Sequence, residues 1–376
     1  MDTSVPLNSK FANVFAARVR ELRIRDTCMR QFLTLAAAVL LVAVAGGGAS
    51  AQSLEAFYKA NRVTINIGYT PGGVYDIYAR TIARHIGRHI PGRPAVVPVN
   101  MPGAGSMKAA NFIYAQAPKD GTHIAVFARG IAMQPLLDDT GVQFDATKLN
   151  WLGSPASEVS VVFAWHTKPF RTLADLRARD MVVPATGTGA DSAIFPYVMN
   201  GVLGTKFKVV TGYPGAAETM LSIERGETDG SAATSWGNFA TAKADWIRDK
   251  KVNIILQLAL KKLPTLGDVP LIMDAAGNEN DRKVLELIFV RQSMSYPFVT
   301  SPDVPAERLQ ALRRAFDATL RDPEFLTDAK QQNLDVDPVS GDEIQSLVRS
   351  VYASPPEVIA RARAAIKEGM GRTVMR

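Results

Sequence analysis

One cysteine in 376 residues, Cys28, lies upstream of a signal-peptidase-like site, so the chain beyond that site has no thiol for a disulfide, a nucleophile or a lipid anchor. Its stability must come from a hydrophobic core. Histidine is also scarce, with four in all, and neither His123 nor His166 has an obvious nucleophile nearby in sequence. No Gly-x-Ser-x-Gly segment occurs, which removes the nucleophile elbow. No Gly-Lys-Ser/Thr follows a glycine-rich turn, which removes a Walker-type phosphate loop. There is no basic run with interleaved aromatics, so small anions are favoured over nucleic acid. His85 and His89 are four apart and could share a metal. However, Ile86 occupies the place of a zinc protease's glutamate and Arg84 and Arg88 flank the pair, so an exposed basic helix face is expected. No catalytic residue, metal or cofactor is expected.

The longest apolar run, Phe32 to Ala45, is about 14 residues, short of the roughly 20 that span a bilayer. Arg23, Arg25 and Arg30 precede it and Ala49-Ser50-Ala51 follows it, the pattern of a signal peptide cleaved before Gln52. Residues 1–51 are therefore expected to be removed on export to the periplasm. The stretch before Met29 is longer than a usual n-region, which makes Met29 an alternative start. The leader carries six basic and three acidic residues, leaving +4 of the formal +7 on the mature chain. About 325 mature residues suit two domains better than one small core.

After Gln52, strand-like and helix-like segments alternate. Strands are expected at Val63 to Gly68, Ala95 to Val99, Thr122 to Phe127, Val159 to Trp165, Met181 to Pro184, Lys208 to Val210, near Gly230 to Ala233, and at Val252 to Leu258. Helices are expected at Tyr75 to His89, Met107 to Ala117, Thr172 to Arg179, Ala193 to Leu203 and Ala216 to Arg225. Two more follow, one opened by Pro305 and one around Ile344, Leu347 and Val348. This rhythm implies an α/β fold with mainly parallel sheets flanked by helices.

Two glycine-rich turns, Thr70-Pro71-Gly72-Gly73 and Thr186-Gly187-Thr188-Gly189, each follow an apolar strand and open a helix. Bare amides and the positive end of a helix dipole converge there, which suits an anion such as a carboxylate. Each turn could also be only a strand-to-helix connection, and Asp76 reads as a carboxylate placed at a helix N-terminus for structural reasons. In the second turn the hydroxyls of Thr186, Thr188 and Ser192 could donate to an anion, and Asp191 is either a cap or a partner for a ligand amine. Gly187-x-Gly189-x-x-Ser192 approaches a dinucleotide fingerprint, but its third position is serine and no acid stands about 20 residues on. Arg129, after the strand Thr122 to Phe127, either clamps a carboxylate at the same crevice or is merely solvated. Tyr69, Tyr213 and Trp236 could line that crevice or pack beneath it.

The run Ile67-Gly68-Tyr69-Thr70-Pro71-Gly72-Gly73 with Asp76 and Ala79-Arg80, then Val99-Asn100-Met101-Pro102-Gly103-Ala104-Gly105 and Ala117-Pro118-Lys119-Asp120-Gly121-Thr122, resembles the substrate-binding receptors of tripartite tricarboxylate transporters, the Bug or TctC type. Gly212-Tyr213-Pro214-Gly215, Glu224 to Gly230, Leu263-Pro264 and Asp268-Val269-Pro270 extend the resemblance from about Val63 to the C-terminus. It implies a two-lobed, type II-like periplasmic-binding-protein fold that closes on a small carboxylate. The grip would come from Thr70 to Gly73 and from Thr186 to Ala190, with handover to an inner-membrane permease. Val74-Tyr75 after the glycines and Ser235-Trp236 depart from the usual small residues and bear on the ligand rather than the class.

Lobe one is expected at 53–157 plus 291–376, and lobe two at 158–290. The protein is read as a monomeric carboxylate receptor and not an enzyme, with Tyr69, Thr70, Pro71, Gly72, Gly73, Arg129, Thr186, Gly187, Thr188, Gly189, Ala190 and Tyr213 around the ligand. The alternatives are a receptor feeding a signalling system and a periplasmic nucleotide-dependent enzyme.

Overall fold

The computed structural model describes residues 53–187, 189–213 and 215–375. The signal peptide, the Met29 start, Thr188 and Pro214 lie outside the described residues. Twelve strands are present among them: β1 (Val63–Ile67), β2 (Val96–Asn100), β3 (His123–Val126), β4 (Asn150–Ser154), β5 (Ser160–Trp165), β6 (Met181–Ala185), β7 (Phe207–Thr211), β8 (Gly230–Ser235), β9 (Val252–Leu258), β10 (Phe298–Thr300), β11 (Val339–Ser340) and β12 (Thr373–Met375). They form a six-stranded sheet in the order β11-β4-β10-β3-β1-β2 and two three-stranded sheets, β12-β7-β6 and β8-β5-β9.

The strands that carry the two turns are parallel to their neighbours. β1 lies between β2 and β3, and β6 pairs with β7. β1 alternates, with Val63, Ile65 and Ile67 fully buried on one face and Thr64 and Asn66 on the other. Asn66 is polar yet buried. Its amide donates to the Ile124 carbonyl at 3.1 Å and lies 3.1 Å from His123 Nδ1, tying β1 to β3. Antiparallel strands enter where the chain returns: β10 pairs with β3 and β4, and β5 pairs with β8 and β9.

The two crossings between sheets run side by side. Glu158 N–H donates to the Gln292 carbonyl at 2.8 Å and Ser295 N–H to the Ala156 carbonyl at 3.2 Å. The last segment takes a different place from the rest of the C-terminal third. β10 and β11 join the six-stranded sheet, but β12 pairs with β7, and the helix Pro356–Met370 packs on the helix Asp191–Leu203. That contact is close because it is glycine-lined: a Cβ on Gly201 would fall 2.8 Å from Ala365 Cβ. The largest hydrophobic cluster is continuous across these elements, from Phe127 and Trp151 to Val183, Phe195 and Phe289.

Candidate functional site

The first turn lies beyond the carboxyl end of β1, and the helix Val74–Ile86 follows it. Gly72 has φ of 87°, a conformation that strains any residue with a Cβ. Asp76, 3% exposed, holds the turn from below. Its carboxylate accepts from Gly72 N–H at 2.9 Å, from Arg80 Nε at 2.9 Å and from Asn100 Nδ2 at 2.7 Å, and Asn100 Nδ2 also donates to the Tyr69 carbonyl. Burial works against the charge, but the donors from Arg80, Gly72 and Asn100 outweigh it and hold the carboxyl below its usual range. Asp76 is thus a brace for the turn. Asp76→Asn should cost about 2 kcal/mol, because donors from Gly72 and Arg80 would face an amide that accepts at only one atom. A urea midpoint equal to wild type would show that the brace carries no stability.

Thr70 to Gly73 are exposed and Gly73 provides no side-chain cap, so the first amides of the helix have no intrahelical acceptor. The second turn repeats this arrangement beyond β6. Ala190 precedes the helix Asp191–Leu203 and offers no side-chain cap. Some helices elsewhere have a side-chain cap, as from Thr172 with Asp175 and Ser340 with Glu343, whereas others such as Ala216–Glu224 and Ala306–Arg321 have none. Beta carbons on Gly187 or Gly189 would meet nothing within 4 Å, so open space adjoins both. The Ser192 hydroxyl is partly engaged, accepting from Thr186 N–H at 3.2 Å. Tyr213 is 4% exposed and its N–H donates to the Ala185 carbonyl, which places it behind the turn. Trp236 is half-buried, its N–H bonded to the Val159 carbonyl.

Arg129 links the two turns, and not as a solvated strand-end residue. It follows β3 and is 9% exposed. Its backbone N–H donates to Tyr75 Oη at 3.2 Å, and Tyr75 stacks on Tyr69 with centroids 4.6 Å apart, both beside the first turn. Its guanidinium donates to Asp191 at 2.7 Å and to Glu158. Asp191 also accepts from Arg291 Nη1 at 3.1 Å. Two guanidiniums and two carboxylates therefore meet between the starts of the two helices. Asp191 is neither a simple cap nor free for a ligand amine: burial opposes its charge, and Arg129 and Arg291 hold its carboxyl below the usual range. Arg291 is 3% exposed, and its Nε and Nη2 have no acceptor among the described residues. Burial pulls its pKa down, against the opposing pull of Asp191. The sequence reading missed Glu158 and Arg291, and noted Tyr75 only as a departure from the family's usual small residues. Glu158 and Arg291 nevertheless stand at the expected crossovers between lobes, which was the one signal available.

His85 and His89 form no metal pair. They lie 2.9 Å from Asp328 and 2.8 Å from Asp322 on and beside the helix Pro323–Gln331, so they fasten one helix to another. No cluster of metal-ligating side chains occurs among the described residues, and no helix among them is long and apolar enough to cross a membrane.

Neither a protein-family model nor a curated protein sequence matches the chain. Solved structures do. A TctC solute binding protein from Polaromonas, without ligand, is 17% identical with a TM-score of 0.61, covering 83% of this chain and 99% of its own. MatC from Rhodopseudomonas palustris with bound malate is 18% identical with a TM-score of 0.57, covering 81% and 99%. A further R. palustris protein with adipate is 18% identical with a TM-score of 0.58, covering 80% and 97%. The chain has the two-lobed periplasmic-binding-protein fold of the TctC solute-binding proteins.

Proposed function

We propose that this protein is an exported solute receptor that closes two lobes on a small carboxylate and delivers it to the membrane subunits of a tripartite tricarboxylate-type transporter, with no catalytic step of its own. The observation that carries the reading is the pair of helix starts without a side-chain cap after Thr70 to Gly73 and Thr186 to Ala190, joined by Arg129, which bonds to Tyr75 of the first helix and Asp191 of the second. Backbone donors at two helix N-termini can share one carboxylate, and each half-site comes from a different sheet. A ligand that contacts both halves favours the closed state by its differential contacts, and closure supplies the shape a permease can read. The malate and adipate held by proteins of this fold support a carboxylate as the ligand class. In this reading, 53–157 with most of 291–376 makes lobe one and 158–290 makes lobe two. The Pro356–Met370 helix and β12 then belong with lobe two.

Gly187→Val tests the grip. The new side chain meets no protein atom within 4 Å at its Cβ, so the fold should persist while the ligand's approach is blocked. The carboxylate that most raises the wild-type melting temperature should bind the variant at least about 2 kcal/mol more weakly. Equal calorimetric affinity with a normal melting curve would move the site away from the second turn.

A further inference from the structure

The charged quartet beside the turns bears on which carboxylates fit. Arg129 and Arg291 are each matched by an acid of the protein: Asp191 touches both, and Glu158 completes the set. The side chains of Arg129 and Glu158 are 11% exposed, and Arg291 and Asp191 are 3% and 21% exposed, so solvent screens the group little. It lies beside both turns, because Arg129 bonds to Tyr75 of the first turn's helix and Asp191 opens the helix of the second.

We propose that this quartet makes the receptor selective for ligands with one carboxylate and an uncharged, oxygen-bearing tail, and that Asp191 is the residue that excludes a second carboxylate. The inference rests on the carboxylate-receptor reading and refines it. The first carboxylate is taken by backbone amides, which need no side-chain cation. A second would enter a space where positive and negative charges already balance, so its own charge would find no guanidinium that Asp191 and Glu158 do not already neutralise. Unpaired negative charge in so dry a place is strongly unfavourable. Discrimination by repulsion of the wrong ligand is a common device. A neutral oxygen meets no such barrier, and it can accept from Arg291 Nε and Nη2, two buried donors with no partner among the described residues.

Calorimetry on the mature protein with two length-matched series separates the possibilities: butyrate, 4-hydroxybutyrate and succinate, then hexanoate, 6-hydroxyhexanoate and adipate. In the series that binds, the hydroxy acid should bind at least about tenfold more tightly than the dicarboxylate, a difference worth about 1.4 kcal/mol. Asp191→Asn leaves one guanidinium charge unmatched and should narrow that ratio at least about tenfold. Glu158→Gln creates the same surplus from the other side of Arg129 and serves if Asp191→Asn does not fold. Tighter binding of the dicarboxylate by wild type, or an unchanged ratio in both variants, overturns the inference and leaves the receptor reading intact. Failure of every acid to bind folded wild type overturns the receptor reading and this inference with it.

Discussion

Replacing Arg129 with methionine is expected to destabilise the protein by about 3–5 kcal/mol at neutral pH, the usual cost of removing one partner from a buried ion pair. Methionine keeps much of the stem's packing but leaves Glu158 without its cation, while Asp191 retains only Arg291. The acids lie 29 and 62 residues from Arg129 in sequence and come from different elements, so local rearrangement cannot easily solvate both. The pH dependence gives an internal check. Burial works against ionised Asp191, yet Arg129 and Arg291 hold its pKa below the usual 3.8. A carboxylate with a depressed folded-state pKa contributes stability that is fully present above 3.8 and is lost as pH falls below it. Without Arg129 that contribution shrinks, so the gap between wild type and variant in urea unfolding should narrow below about pH 4. A variant with the wild-type midpoint at pH 7 would show that the pairing contributes nothing. Adding Glu158→Gln should recover part of the loss, because it removes the acid left without a cation.

A large effect is also expected at Gly369. A Cβ there would overlap the Tyr197 backbone, with its carbonyl carbon 2.6 Å away, in the contact between the helices Pro356–Met370 and Asp191–Leu203. Gly369→Val must push those helices apart, at a cost of about 1–3 kcal/mol for overpacking and more if the docking of β12 on β7 is lost. The helix that moves is the one whose first residue is Asp191, so carboxylate affinity should fall together with stability. A fully stable Gly369→Val variant would mean that the C-terminal helix does not dock as described. A destabilised variant with unchanged affinity would mean that its docking does not position Asp191.

The parts of the fold that were legible in sequence are those whose signals are local. β1, its turn and the following helix announce themselves by alternating apolar residues, a proline and two glycines, and β6 with its turn by a short apolar run and two glycines. The position of Arg129 after β3 could also be read. What holds its guanidinium could not, because its ion pairs join residues 29 and 62 apart that come together only in the folded chain. The short strands β10, β11 and β12 span two or three residues, too few to show a period of two. β4 was hidden for another reason. Its Gly153 has φ of 148° and lies against Phe316, so the segment Asn150–Ser154 reads as a loop although it is almost wholly buried. The helix Pro356–Met370 carries a proline start but binds through alanine and glycine, and a face of small residues gives little hydrophobic contrast.

The central claim is that the two turns grip one carboxylate between them, and a crystal structure of the mature protein with the carboxylate that most raises its melting temperature tests it most directly. The account predicts one carboxylate group within hydrogen-bond reach, about 3 Å, of backbone amides from both Gly73 to Tyr75 and Gly189 to Ser192, with Arg129 still paired to Glu158. A ligand bound elsewhere, or one whose carboxylate is held by the Arg129 guanidinium in place of both turns, would contradict it.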